Sequence, residues 1–303
     1  MTTQVPSPAA TIDERVQPHA QEPIVVAVDG SEKNRSAVDW ATAEAVSVGC
    51  EMVLVTAVED FVTPIPHFSL HAQDAYAEDV LTEATAGIRE VLTDQEVHAR
   101  VVTGPPVTVI VDAARGARMV VVGKRGLGGF ARVMIGSTSI RVAGRAKVPV
   151  TIVPEGWRQA DHAHEPIMLG IDPDEPRPAP IQYAFTRARQ LGVPLVAAHG
   201  WETPAVGWDS VALAGAVTEW EKDAHAAFDR VLDPWHERFP DVEVTALHKH
   251  SHPAAAVLDA AEKAQLVVLG RHTDGKLGGF AFGSVTRAVL HYSERPVVVV
   301  PSD

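Results

Sequence analysis

The residues best suited to chemistry stand in one stretch, Gly123-Lys124-Arg125-Gly126-Leu127-Gly128-Gly129, which runs on to Gly136-Ser137-Thr138. Four glycines near its start let the backbone approach a ligand without Cβ atoms in the way, and are expected to adopt φ > 0. Consecutive amides in such a loop form a concavity for an anion. Gly136-Ser137-Thr138 then opens a helix, whose unpaired N–H groups and positive dipole end suit a phosphate. Ser137 can cap that helix or donate its hydroxyl to a phosphate oxygen. Lys124, Arg125 and Arg132 supply cations nearby. A polyphosphate is the ligand these residue types fit.

The elements that position the loop occur twice. Val121-Val122-Gly123 returns as Val268-Leu269-Gly270, Gly136-Ser137 as Gly283-Ser284, and the ending at Pro154 as that at Pro301, every pair separated by 147 residues. At the other end Ile24–Asp29 matches Ile167–Asp172 with a separation of 143, so the second copy gained a few residues. One separation held over three landmarks identifies a tandem duplication. Strands are read at Ile24–Asp29, Met52–Val58, Val97–Thr103, Met119–Gly123 and Val148–Val153, with helices between them. The second copy gives strands near Ile167–Asp172, Leu195–His199, Val242–His248, Leu266–Gly270 and Val297–Val300. Runs such as IVVAV and MVVVG are apolar throughout rather than alternating, as expected of strands covered by helices on both faces. The fold class is α/β: two tandem Rossmann-like domains, each a five-stranded parallel doubly wound sheet. The expected division is a disordered tail over residues 1–21, domains over 22–155 and 166–303, and a linker over 156–165.

In such a sheet, ligands sit beyond the carboxyl ends of the strands. Asp29, ending the first strand, is therefore expected to meet the glycine loop after the fourth. The spacing Gly-x2-Gly-x9-Gly-Ser after strand four, with Asp at the end of strand one, resembles the universal stress protein family, in particular its ATP-binding branch, over Ile24 to Pro301. The resemblance implies that Asp29 contacts the ribose or adenine side and that the backbone at Ala27 and Val55 lines the adenine slot. It further implies that Gly123 to Gly129 wrap the phosphates and ribose, while Gly136, Ser137 and Thr138 bind phosphate oxygens. The counterparts in the second copy are Gly170, Asp172, Gly270, Arg271, His272, Gly275, Gly283, Ser284 and Val285. That copy departs from the pattern: Thr273 replaces the second glycine, and Asp172-Pro173-Asp174-Glu175-Pro176 adds carboxylates. A β-branched residue is costly at φ > 0. The extra negative charge repels a triphosphate unless Mg²⁺ or Arg271 and Lys276 offset it. The first copy is expected to bind ATP more tightly.

A net charge of −13 excludes a nucleic-acid binder that needs a basic face, though not a nucleotide. The apolar runs are too short to span a membrane, and the start lacks a secretory leader. The single cysteine, Cys50, fits a reducing cytoplasm and precludes an internal disulfide. His248, His250 and His252 could share a strand face as metal ligands, but lack a carboxylate or cysteine at ligand spacing, and a solvated strand end is the better reading; no metal site is assigned. No nucleophile elbow, paired-carboxylate signature or Walker lysine occurs, so no catalytic residue is assigned and an efficient enzyme is not expected. As the resemblance implies, the chain reads as an ATP-responsive regulator in stress or dormancy adaptation, acting through a protein partner. A scaffold with a vestigial loop and a slow ATPase remain alternatives. The final strands, each with a proline at its start (Pro149, Pro296), are bare apolar edges. They are expected to pair antiparallel within the chain, with a homodimer of the whole chain as a second expectation.

Overall fold

A computed structural model describes residues 22–59, 70–92, 97–126, 134–202, 210–271 and 282–302, apart from the side chains of 70–74 and 210–220. The first half reads β1 (Ile24–Ala27), α1 (Arg35–Val48), β2 (Met52–Val58), α2 (Leu70–Ile88), β3 (Val97–Thr103), α3 (Pro106–Ala113), β4 (Met119–Gly123), α4 (Ser137–Arg145) and β5 (Val150–Val153). The second reads β6 (Ile167–Gly170), α5 (Pro178–Leu191), β7 (Leu195–Trp201), α6 (Ser210–Arg238), β8 (Val244–His250), α7 (Pro253–Ala261), β9 (Leu266–Gly270), α8 (Ser284–Tyr292) and β10 (Val297–Val300). Helices α1 and α5 both stop at a glycine in the left-handed region, Gly49 (φ 70°) and Gly192 (φ 65°). A side chain there would meet its own carbonyl, so glycine ends the helix at the same place in both copies. Strand β1 closes two residues earlier than expected, although Val28 N–H still donates to Val55 O at 2.9 Å before the chain turns.

All ten strands form one sheet in the order β3-β2-β1-β4-β5-β10-β9-β6-β7-β8. Neighbours are parallel within each half, and the halves meet where β5 and β10 run antiparallel, as expected of the two bare edges. Val150 stands opposite Val299, Thr151 opposite Val298, and Ile152 opposite Val297. Thr151 and Val298 are equivalent positions of the repeat, so a pseudo-twofold axis passes between them. The two five-stranded sheets are thus halves of a single sheet, and their carboxyl edges face opposite ways.

Helices cover both faces. One core joins Trp40 of α1, Leu81 of α2, Phe185 of α5 and Phe228 of α6 to alternate strand residues such as Ile24 and Ile167. The other joins Ile110 of α3, Val142 of α4, Val257 of α7 and Val289 of α8 to Val25 and Met168. Each core runs through both halves, which explains why the strands are apolar on both sides.

Candidate functional site

Strands β1 and β4 are neighbours, so their carboxyl ends bring Asp29 to the glycine loop. A Cβ built on Gly126 would stand 2.1 Å from Asp29 Oδ2, and one on Gly123 would stand 3.0 Å from Asn34 Nδ2. Both glycines thus stand where side chains of the first strand's end approach the loop closely. The expectation of φ > 0 is wrong for Gly123 and Gly126, neither of which has a positive φ. Thr273, at the position equivalent to Gly126, lies outside the described residues. Asp29 Oδ1 accepts from the Ser31 N–H (3.0 Å) and the Ser31 hydroxyl (2.7 Å), which fixes its orientation.

One hydrogen bond ties the loop's start to the end of β5, and two more fasten its two ends together. Lys124 N–H donates to Val153 O (2.7 Å) and Gly136 N–H to Lys124 O (2.7 Å). The Ser139 hydroxyl donates to Gly123 O at 2.6 Å. Gly123, Lys124, Arg125 and Gly126 therefore meet Gly136, Ser137 and Thr138 at the start of α4. Its N-cap residue, Gly136, has no side chain to cap the helix, and Ser137 is exposed. Gly128, Gly129 and Arg132 lie outside the described residues. Ala27 and Val55 are register partners, and each carbonyl already accepts a bond: Ala27 O from Asn34 Nδ2 (3.1 Å), Val55 O from Val28 N–H (2.9 Å). Asn34 escaped the sequence reading. It is 5% exposed, and its Oδ1 has no hydrogen-bond partner among the described residues. Its signal was a polar residue closely following Asp29-Gly30-Ser31 at the carboxyl edge.

The structure directs two of the expected phosphate cations elsewhere. Lys124 Nζ donates to Ser293 O at 2.6 Å, at the end of α8 in the other half. Its equivalent, Arg271, donates to Ala146 O and Ala143 O at the end of α4, and is 4% exposed. Each cation thus crosses the seam to cap the opposite half's helix, where the carbonyl ends of the helix dipole favour positive charge. Burial, reinforced by the neighbouring Arg125, lowers the Lys124 ammonium to about 8.

In the second half Gly170, Asp172, Gly270, Ser284 and Val285 line one cavity of about 450 Å³. Asp174, Glu175 and Glu202 add carboxylates to it, and Arg177, paired with Glu175 at 3.4 Å, adds a cation. Gly270 has Pro180 close by, 3.3 Å from where a Cβ would stand. Gly283 occupies the N-cap of α8, as Gly136 does for α4. His272, Gly275 and Lys276 lie outside the described residues. His199, also in the lining, meets the Ile171 carbonyl at 3.2 Å, and burial pushes its pKa down. His199, Trp201 and Glu202 were missed although they end β7, where the carboxyl-edge rule points.

The histidine run divides. His248 packs against His225 (ring centroids 4.1 Å apart), His250 stacks on Trp201 (4.3 Å), and His252 accepts the Ala254 N–H at the start of α7 (3.3 Å). Among the described residues no group of three His, Cys, Asp or Glu side chains is placed to hold a metal. Nor is any described helix long and apolar enough to cross a membrane.

Comparison with known proteins agrees with this architecture. The model of the universal stress protein family matches residues 21–154 and again 164–301. A universal stress protein of Mycobacterium tuberculosis strain H37Rv is 32% identical over 311 aligned residues, covering 92% of this chain and 96% of its own. One from Mycolicibacterium smegmatis is 31% identical, covering 94% and 99%. Among solved structures, a universal stress protein from Archaeoglobus fulgidus superposes with a TM-score of 0.65 at 21% identity, over 93% of this chain and 96% of its own. With both halves matched, the chain belongs to the universal stress protein family as a tandem pair of its domains.

Proposed function

We propose that the first half binds ATP at its carboxyl edge and that the protein serves as a nucleotide-dependent regulator in stress adaptation, read by a protein partner. The observation that carries this reading is the meeting of the Gly123–Gly126 backbone with the uncapped start of α4, beside a fixed Asp29. Free amides at a helix N-terminus bind phosphate oxygens, and glycines let the ligand approach the chain. Lys124 is engaged across the seam, so charge neutralisation falls to those amides, Arg125 and Mg²⁺ carried with the nucleotide. Asp29 supplies an oxygen for a ribose hydroxyl. No group in this set activates a water, and the reading is one of binding rather than turnover.

Calorimetry with ATP on the full chain and on Gly136→Val tests it. Among the described residues a Cβ at Gly136 meets nothing closer than 3.4 Å, so valine leaves the fold standing while its methyls occupy the ligand's line of approach. Affinity should fall by about a hundredfold or more, as expected when phosphate hydrogen bonds to charged groups are lost. Wild-type affinity in the variant would overturn the assignment.

A further inference from the structure

The seam between the halves holds a second kind of site. Arg187 of α5 (side chain 8% exposed) pairs with Glu44 of α1 (4%) across it. These are equivalent positions of the repeat, 143 residues apart, so the pair sits on the pseudo-twofold axis. A cavity lies on either side. The smaller, about 120 Å³, is lined by Trp40, Ser47, Gln265 and Leu266 and receives Gln159 and Ala163 from the connection between the halves. Gln265 anchors that segment: its Oε1 accepts from Gln159 Nε2 (2.8 Å), and its Nε2 donates to Ala163 O (3.1 Å). Across the axis Tyr183, Gln190, Arg118 and Met119 take the four equivalent places, and the cavity there has about 390 Å³.

The larger cavity differs from its mate in charge as well as volume. Arg118, Arg187, Arg189 and Arg238 line it, and the one carboxylate among its described lining residues, Glu44, is paired with Arg187. In a chain of net charge −13 this is a local inversion of sign. Arg189 and Arg238 lie over the Phe239 ring at 4.6 and 5.6 Å, which fixes two guanidinium planes at the cavity wall. Gln182, Gln190 and Tyr183 add neutral donors, and burial keeps the Tyr183 hydroxyl protonated by raising its pKa. An anion at the wall where Arg189 and Arg238 lie is drawn by both guanidinium groups. Guanidinium groups match phosphate oxygens in both charge and fork geometry. The volume is of the order of small-ligand pockets, roughly 300–1,000 Å³.

We propose that this seam cavity binds a small, multiply charged phosphate compound, of the diphosphate or sugar-phosphate class, independently of the two sheet-edge sites. Because its walls come from both halves, the bound anion also clamps them together.

The test is calorimetric titration of the full chain with inorganic pyrophosphate, in the Gly136→Val background so that the first sheet-edge site does not contribute. Adding Arg189→Gln and Arg238→Gln, which leaves the buried Arg187–Glu44 pair intact, should weaken binding about tenfold or more through loss of charge-assisted contacts. The thermal midpoint without ligand should remain close to that of the parent. Equal affinity in parent and variant, or no saturable binding by the parent, would overturn the proposal. The sequence around the anchored connection, His162-Ala163-His164-Glu165-Pro166, has a counterpart in His19-Ala20-Gln21-Glu22-Pro23. A third arm therefore removes residues 1–21. Unchanged binding supports a free anion as the occupant, whereas binding that emerges only on truncation would overturn it in favour of the chain itself.

Discussion

The two halves agree in strand order, in the glycine that ends α1 and α5, and in the cation each sends across the seam, and part company at their ligand edges. Where the first half brings the single carboxylate of Asp29 against Gly126, the second lines its cavity with Asp172, Asp174, Glu175 and Glu202. The residues that hold the halves together, by contrast, changed in type and kept their task. Lys124 and Arg271 differ chemically, yet both reach across to the last turn of the opposite helix. After duplication, side chains facing a ligand were free to diverge, because a ligand constrains only its own pocket. Side chains at the seam remained tied to a partner in the same chain.

The largest expected effect lies at the seam. Glu44→Ala strands a buried Arg187 guanidinium, and breaking a buried pair from one side costs roughly 3–5 kcal/mol. Denaturant unfolding should register that loss, and replacing both residues with leucine should recover much of it. Single-variant stability within 1 kcal/mol of wild type, on the scale of about 1 kcal/mol for an exposed pair, would mean that the halves are not joined there.

A smaller effect sharpens the contrast between the ligand edges. Asp174→Asn with Glu175→Gln removes two charges and releases Arg177 from its 3.4 Å pair. In the Gly136→Val background, calorimetry should then detect ATP binding by the second half strengthened about tenfold, from relief of charge repulsion of the order of 1 kcal/mol per pair at high dielectric. No gain would place the obstacle in the shape of the cavity, where Pro180 crowds Gly270, rather than in its charge.

The smallest effect is on pH dependence. With its ammonium lowered to about 8, Lys124 binds its proton less readily in the folded chain than in the unfolded one. The unfolded state therefore holds more protons above that value, and this residue's contribution to stability rises with pH between about 8 and 10. Below 8 the penalty is fully present. Lys124→Met should flatten the rise in urea midpoints across that window, and an unaltered slope would assign it to other groups.

Much of the fold was legible because periodicity and repetition are strong signals. The common separation of 147 residues, and strands apolar on both faces, led to a duplicated parallel sheet, and the bare ends of β5 and β10 to their antiparallel pairing. The meeting of Asp29 with the glycine loop was legible, but the loop's conformation was misread. Gly126 carries no left-handed φ; it is small because Asp29 stands against it, a contact across 97 residues that no local pattern encodes. Lys124 and Arg271 looked like phosphate ligands because their neighbours are glycines, whereas their partners lie in the other half. Asn34 was hidden because a lone amide near a helix start ordinarily reads as a cap.

The Glu44–Arg187 pair carries one more consequence. In an assembly of two identical subunits the same residue must stand on both sides of a twofold axis, so this position would set carboxylate against carboxylate or guanidinium against guanidinium. Covalent fusion lifts that restriction, and the two copies have taken opposite charges at a place where they see each other's equivalent. Neither half is now a suitable mate for a second copy of itself through this face. Separately produced halves, mixed in solution, should accordingly prefer the mixed pair over either like pair.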